Sequence, residues 1–93
     1  MAKFVICFEI KDHLRDYTRL RQVLHQMAAA QVQETVWFTS INGRAEQLKE
    51  VLRTVIHPGD SVLVVRLQDN GLSDWAAFHD PGEGLRWLET HYR

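Results

Sequence analysis

Apolar and polar positions change their period several times along the chain, and each change marks a predicted element. Lys3–Ile10 is rich in aromatic and β-branched residues, which predicts a strand. One face of that strand carries Phe4, Ile6, Phe8 and Ile10, and the other carries Val5, Cys7 and Glu9. Because both faces are largely apolar, we predict a central strand and not an edge strand.

Apolar residues spaced three and four apart predict a first helix, capped by Asp16 and running to about Ala30. Its apolar stripe consists of Tyr17, Leu20, Val23, Leu24 and Met27. Val32–Ser40 returns to strand composition but weakens at Glu34 and Thr35. This segment predicts either two short strands or one sharply kinked strand.

The second half of the chain repeats the order of helix and strand. We predict a second amphipathic helix from about Arg44 to Val55, a turn at His57–Asp60 and a strand over Ser61–Leu67. Near the end, Asp80, Pro81 and Glu83 have the residue types that favour a helix start. That last helix is predicted to pack through Leu85, Leu88 and Tyr92, with Trp87 and His91 beside them.

This order of elements predicts an α+β fold, a ferredoxin-like split βαβ sandwich (βαββαβ) with an added C-terminal helix. We assign residues 1–67 to the ferredoxin-like domain and residues 68–93 to a C-terminal extension that packs on the domain or on a dimer partner. Both main helices are expected on one sheet face. The other face, expected to carry Val5, Cys7, Val62 and Val64, is predicted to be an interaction surface.

Composition limits the function without defining it. The chain has 93 residues and a net charge of −1, with acidic and basic residues interleaved, which argues against tight nonspecific binding to nucleic acid. Cys7 is the only cysteine, so no internal disulfide can form. The apolar run at Phe4–Phe8 is too short for a signal-peptide core or a membrane span. We therefore expect a soluble, cytoplasmic protein.

Several short motifs, in order, resemble one family. They are Phe8-Glu9-Ile10 at the end of the first strand, Asp16-Tyr17 at the first helix, Val32-Gln33-Glu34-Thr35-Val36-Trp37, Pro58-Gly59-Asp60 before the last strand, and Trp75-Ala76-Ala77 in the tail. Together they resemble the small ferredoxin-like proteins typified by the second core adaptation protein of CRISPR systems, particularly their SinR-like relatives. The resemblance covers residues 3 to 67 and, more loosely, the tail.

The resemblance implies a homodimer that acts on nucleic acid as an endonuclease or as an adaptor. It also implies that the acidic residue ending the first strand, here Glu9, is catalytic and binds Mg²⁺ or Mn²⁺, with one copy from each protomer sharing the ion. The family has aspartate at this position. Glutamate moves the carboxylate outward by one methylene, and metal-assisted reactions are sensitive to displacements of about 1 Å.

Other interpretations remain open at this stage. Glu9 is alternatively a structural carboxylate paired with Arg66 on a neighbouring strand, and Asp12 and Asp16 serve loop polarity and helix capping. For function, we favour a non-catalytic dimeric adaptor or regulator over a nuclease. A further alternative is a small-ligand regulatory module, which predicts a pocket at the dimer seam.

Overall fold

The computed structural model describes residues 1–68, 74–76 and 83–92. Its elements, in chain order, are β1 (Ala2–Glu9), α1 (Thr18–Gln26), β2 (Ala30–Gln33), β3 (Val36–Ile41), α2 (Ala45–Arg53), β4 (Ser61–Arg66) and α3 (Glu83–Tyr92). The described residues thus form a four-stranded sheet with three helices, which confirms the predicted α+β class.

The four described strands form one antiparallel sheet in the order β2–β3–β1–β4. β1 lies between β3 and β4, so the prediction of a central strand is confirmed. The N–H of Phe8 donates to the Thr35 carbonyl at 2.9 Å, and the N–H of Leu67 donates to the Lys3 carbonyl at 2.8 Å. Backbone groups of even-numbered β1 residues therefore point towards β3, and those of odd-numbered residues point towards β4.

The hydrophobic core lies between one sheet face and helices α1 and α2. Its most deeply buried apolar side chains are Phe4, Ile6, Leu24 and Leu52. The predicted apolar stripe of α1 contributes Tyr17 and Leu20 as well, since both are buried in the same cluster. Burial of large apolar side chains contributes roughly 1.5–3 kcal/mol each, so this layer holds the two helices on the sheet.

Helix α1 ends at Gln26, earlier than the predicted end near Ala30. Ala28 adopts a left-handed backbone with φ of 53°, which reverses the chain so that β2 begins at Ala30. The hydroxyl of the buried Thr39 donates a hydrogen bond to the Met27 carbonyl at 3.1 Å. This bond satisfies one of the carbonyl groups that have no donor within the helix at its C-terminal end. Residues 27–29 contain neither glycine nor proline, so composition alone did not mark this boundary.

The segment around Glu34 and Thr35 forms a turn between two separate strands, as one of the two predicted alternatives required. Helix α2 follows and ends at Arg53, two residues before the predicted end. Gln47 caps the start of α2, since its Oε1 accepts a hydrogen bond from the backbone N–H of Arg44 at 2.9 Å.

The predicted turn at His57–Asp60 is confirmed, since the N–H of Asp60 donates to the His57 carbonyl at 3.0 Å. Gly59 has φ of 94° in this turn, a conformation that suits glycine.

Strand β4 presents its side chains to the two sheet faces in the opposite way to our prediction. Val62 and Val64 pair with Phe8 and Ile6, so they lie on the face covered by α1 and α2. The other face, which we call the second face, carries Val5, Cys7, Leu63 and Val65. The prediction was wrong because four consecutive apolar residues give no period-2 pattern, and only the register with β1 decides the face.

Helix α3 packs on the second face over β2 and β3. Trp87 is buried and stacks on Phe38, with ring centroids 4.9 Å apart. Lys3 places its ammonium 4.7 Å from the centre of the Tyr92 ring, which ties the end of α3 to β1. Of the predicted packing residues, Leu88 is buried and Leu85 and Tyr92 are half-buried. The predicted helix start at Asp80 and Pro81 lies outside the described residues.

Candidate functional site

Glu9 is the last residue of β1 and its side chain is largely exposed to solvent. The Lys11 ammonium lies 2.5 Å from its carboxylate. This hydrogen bond, reinforced by the opposite charge, lowers the pKa of Glu9 and raises that of Lys11. The carboxylate is therefore ionised at neutral pH. An exposed pair of this kind contributes little to stability.

The alternative interpretation that paired Glu9 with Arg66 was wrong. Arg66 lies opposite Phe4 in the β1–β4 register, five residues along β1 from Glu9. Five strand residues span about 17 Å, which is beyond the reach of the two side chains. The nearer cation, Lys11, is only two residues away in the sequence.

Asp12 has the loop role that the sequence predicted, whereas Asp16 lies one residue before the N-cap of α1, which is Tyr17 and not the predicted Asp16. Asp16 accepts hydrogen bonds from the backbone N–H of Thr18 at 2.9 Å and from its hydroxyl at 2.6 Å. Both bonds lower the pKa of Asp16 and support the first residue of α1. Asp12 accepts the N–H of Leu14 at 3.0 Å and lies 3.6 Å from the Arg15 guanidinium.

Asp60 connects two loops at the same end of the sheet as Glu9. Its Oδ1 accepts the N–H of Lys11 at 2.9 Å, and its Oδ2 accepts the Tyr17 hydroxyl at 2.5 Å. The same Oδ2 accepts the N–H of His57 at 3.0 Å. One carboxylate thus joins the β1–α1 loop to the turn that precedes β4.

The two side chains of this contact have shifted pKa values. Burial alone would raise the pKa of Asp60, but hydrogen bonds from Lys11, Tyr17 and His57 outweigh it, and the pKa is lowered. Burial, together with the bond to Asp60, raises the pKa of Tyr17 to about 12. His57 completes the cluster, with its ring edge-on to Tyr17 and its Nε2 2.9 Å from the Asp16 carbonyl.

The sequence analysis did not find Asp60 as the centre of this cluster. The Pro58-Gly59-Asp60 motif predicted a turn correctly, but hydrogen-bond partners 43 and 49 residues away leave no local pattern. The one available signal for Asp60 was its position directly before an apolar strand. Aspartate is also a common turn residue, so that position did not indicate a hydrogen-bonding centre.

The carboxylates at this end of the sheet do not fit a divalent-ion site within one chain. Glu9 is paired with a cation, and Asp60 accepts three hydrogen bonds. Across residues 1–68, 74–76 and 83–92, no three His, Cys, Asp or Glu side chains are grouped as ion ligands. Mg²⁺ needs an octahedral shell of oxygen atoms, of which one exposed carboxylate supplies a small part.

A cavity of about 330 Å³ lies between α1 and the β2–β3 hairpin. Its lining includes the apolar residues Phe8, Tyr17, Leu20, Leu24 and Trp37. His13 and Glu34 also line it, with Nδ1 and Oε1 4.0 Å apart. The cavity is therefore on the helix side of the sheet and away from β4.

The basic residues of helix α2 are paired with acids. Lys49 lies 2.9 Å from Glu46 and 3.1 Å from Glu50, and Arg53 lies 2.5 Å from Glu50. These pairs join residues one or three positions apart on α2. On this helix the pairs favour a solvated polar face over a basic surface for phosphate groups.

The second face has an apolar strip along β4, formed by Leu63 and Val65. Leu63 is 59% exposed and Val65 is 44% exposed, although both are large apolar residues within a strand. They lie next to the half-buried Val5 and Cys7 of β1. Helix α3 packs mainly on β2 and β3, and its end reaches β1 through the contact of Lys3 with the Tyr92 ring.

No protein-family model, curated protein or solved structure matches this chain. The structure by itself therefore defines the class of protein: a small α+β protein with a four-stranded antiparallel sheet. In the part of the chain that the structure describes, there is no helix long and apolar enough to cross a membrane.

Proposed function

We propose that this chain is a ferredoxin-like module that forms a homodimer and acts as a non-catalytic adaptor or regulator. The strand order β2–β3–β1–β4 and the two helices on one sheet face support the ferredoxin-like assignment. The sequence resemblance to the CRISPR adaptation proteins and their SinR-like relatives supports an adaptor role connected with nucleic acid.

One observation carries the proposal of self-association. Leu63 and Val65 are exposed on β4, the outer strand of the described sheet. Exposed apolar residues on an outer strand favour pairing with another chain. A domain of this size also buries a limited share of its surface, so a second copy adds stability.

Light scattering after size-exclusion chromatography tests the proposal. We expect the wild type to give twice the chain mass of 10.9 kDa at tens of micromolar. Leu63→Lys should shift the protein to the monomer, because a charge on this strip opposes burial. Val51→Lys is the matched control, since Val51 is 50% exposed on α2 at the helix side of the sheet. A monomeric wild type, or a Leu63→Lys variant that dimerises as the wild type does, contradicts the proposal.

Metal-dependent cleavage of nucleic acid at Glu9 is the second candidate function. One observation favours it: Glu9 is an exposed, ionised carboxylate at the end of the central strand. The ion pair with Lys11 argues against it, as does the absence of a group of three possible metal ligands among the described residues. The experiment that separates the two functions is given in the Discussion.

A further inference from the structure

The cavity between α1 and the β2–β3 hairpin is formed by the first half of the chain. Within the described residues, its lining runs from Phe8 at the end of β1, through the β1–α1 loop and α1, to Trp37 on β3. Its volume of about 330 Å³ lies at the lower end of the range of about 300–1,000 Å³ that small-molecule sites occupy. The space therefore suits a compact ring system with a short side chain.

The sheet side of this cavity carries an aromatic ring that has no ring partner. Trp37 pairs with Ile6, and Ile6 is fully buried between the sheet and the helices, so the indole lies on the side of α1. The indole is half-buried, and it makes no contact with another aromatic ring among the described residues. An aromatic face in this position favours stacking of a planar ligand.

The helix side of the cavity carries a positive charge without a partner. Arg21 follows the buried Leu20 on α1, and it is exposed to solvent while it lines the cavity. Its guanidinium forms no ion pair or hydrogen bond with any described residue. Its charge contributes to the lowered pKa of Asp16, but that carboxylate is bonded to Thr18. A guanidinium binds a carboxylate through two parallel hydrogen bonds, so Arg21 can accept one from a ligand.

The acidic residues beside the cavity have other partners. Glu34 lies 4.0 Å from His13, and its side chain is 86% exposed, so solvent screens its charge. Glu83 accepts the N–H of Gln31, another lining residue, at 3.1 Å. The unpaired charge on the lining is thus the cation of Arg21, which favours an anionic ligand over a cationic one.

We infer that this cavity binds a small aromatic acid, whose ring stacks on Trp37 and whose carboxylate binds the guanidinium of Arg21. The buried side chains of Phe8, Leu20 and Leu24 supply apolar surface to the ring. The exposed position of Arg21 lets the carboxylate keep part of its hydration, so the cost of desolvating it is small. This site is complete within one chain. It adds a ligand to the proposed regulatory function and does not depend on the homodimer.

Three ligands with the same ring and different charges test the inference: indole-3-acetate, the neutral indole-3-acetamide and the cationic tryptamine. Each is titrated into the ¹⁵N-labelled full chain and followed by NMR. We expect indole-3-acetate to bind with a submillimolar Kd, about tenfold more tightly than indole-3-acetamide, because a charge-assisted hydrogen bond is stronger than a neutral one. Tryptamine should bind more weakly than both. The backbone signals of Arg21 and Trp37 should shift, whereas that of Lys49 on α2 should stay in place.

Arg21→Gln tests the role of the charge, because glutamine keeps a hydrogen-bond donor and loses the cation. We expect this variant to bind indole-3-acetate about tenfold more weakly and indole-3-acetamide as the wild type does. Arg19→Gln is the matched control, since Arg19 is exposed on the same helix and is not part of the cavity lining. It should leave the affinities for both ligands unchanged.

Three results would overturn the inference. If none of the three ligands shifts the signals of the lining residues at millimolar concentration, the cavity is not a binding site. Tighter binding of tryptamine than of indole-3-acetate would show that the cavity prefers a cation. An affinity for indole-3-acetate that Arg21→Gln leaves unchanged would show that the carboxylate does not bind the guanidinium.

Discussion

The hydroxyl of Tyr17 donates a 2.5 Å hydrogen bond to the carboxylate of Asp60, 43 residues further along the chain. The contact joins the start of α1 to the turn before β4. Because the N–H of Lys11 also donates to Asp60, three separate segments meet at one side chain. This carboxylate therefore fixes the loops at the end of the sheet where Glu9 lies.

Asp60→Asn is expected to lower the melting temperature at pH 7 by several degrees, because the amide cannot accept three hydrogen bonds as a charged carboxylate does. The pKa of Asp60 is lowered in the folded state. Its contribution is therefore present above the ordinary aspartate value and is lost as pH falls through the folded-state pKa. Thermal unfolding from pH 7 to pH 2 should show the variant and the wild type converging in acid.

Asp12→Asn is the matched control for that experiment, since Asp12 bonds only to its own loop among the contacts described above. It should leave the melting temperature nearly unchanged. If Asp60→Asn and the wild type keep a constant difference down to pH 2, the ionised carboxylate is not the source of the stabilisation.

Leu52→Ala tests the core between α2 and the sheet. Leu52 is fully buried, and its truncation should lower the free energy of unfolding by about 2–5 kcal/mol. Val51→Ala, one residue earlier and half exposed, should cost about 0.5 kcal/mol or less. Urea denaturation measures both values, and similar losses would show that α2 packs through a different face.

Trp87→Ala tests whether α3 is an integral part of the fold. The indole is buried against Phe38, so its loss should cost about 3–5 kcal/mol in chemical denaturation. Glu89→Ala on the same helix is exposed and serves as the control. An unchanged unfolding midpoint for Trp87→Ala would mean that α3 contributes nothing to the stability of the sheet.

Glu9→Gln tests the nuclease alternative. We expect little cleavage of RNA or DNA by the wild type in the presence of Mg²⁺ or Mn²⁺, because the glutamate is displaced by a methylene and is paired with Lys11. Glu9→Asp restores the family's side chain and provides the second variant. Glu34→Gln, an equally conservative change at an exposed position, is the control.

Metal-dependent turnover in the wild type that chelator and Glu9→Gln both abolish, and that Glu34→Gln retains, would refute the non-catalytic function. Turnover that survives Glu9→Gln unchanged must come from a contaminant or from another residue, so it would leave Glu9 without a catalytic role.

Local patterns predicted most of the fold. The two-residue period of β1 predicted its two faces, and the apolar residues on both faces predicted its central position. The spacing of Leu20 and Leu24 predicted the buried side of α1. The end of α1 was missed because Ala28 is a good helix former that tertiary contacts hold in a left-handed conformation. Helix propensity therefore does not predict this helix end, where the Thr39 hydroxyl bonds to the Met27 carbonyl.

The candidate site was harder to predict because its contacts are long-range. Asp60 was assigned to a turn, and nothing near it in the sequence indicated Tyr17 or Lys11 as partners. The sheet face on which the side chains of Leu63 and Val65 lie is set by the register of β4 with β1, and a run of apolar residues cannot specify that register. Glu9 was placed correctly at the end of β1, but its partner was a sequence neighbour and not Arg66.

Among the described residues, helix α3 packs over β2 and β3, and its end reaches β1 through the contact of Lys3 with the Tyr92 ring. Leu63 and Val65 lie on the next strand, β4, with their side chains on the same face. A partner that buried these two residues, as the proposed homodimer would, would add to β4 the cover that α3 gives to β2 and β3. The second face of each copy would then be shared between its own last helix and its partner.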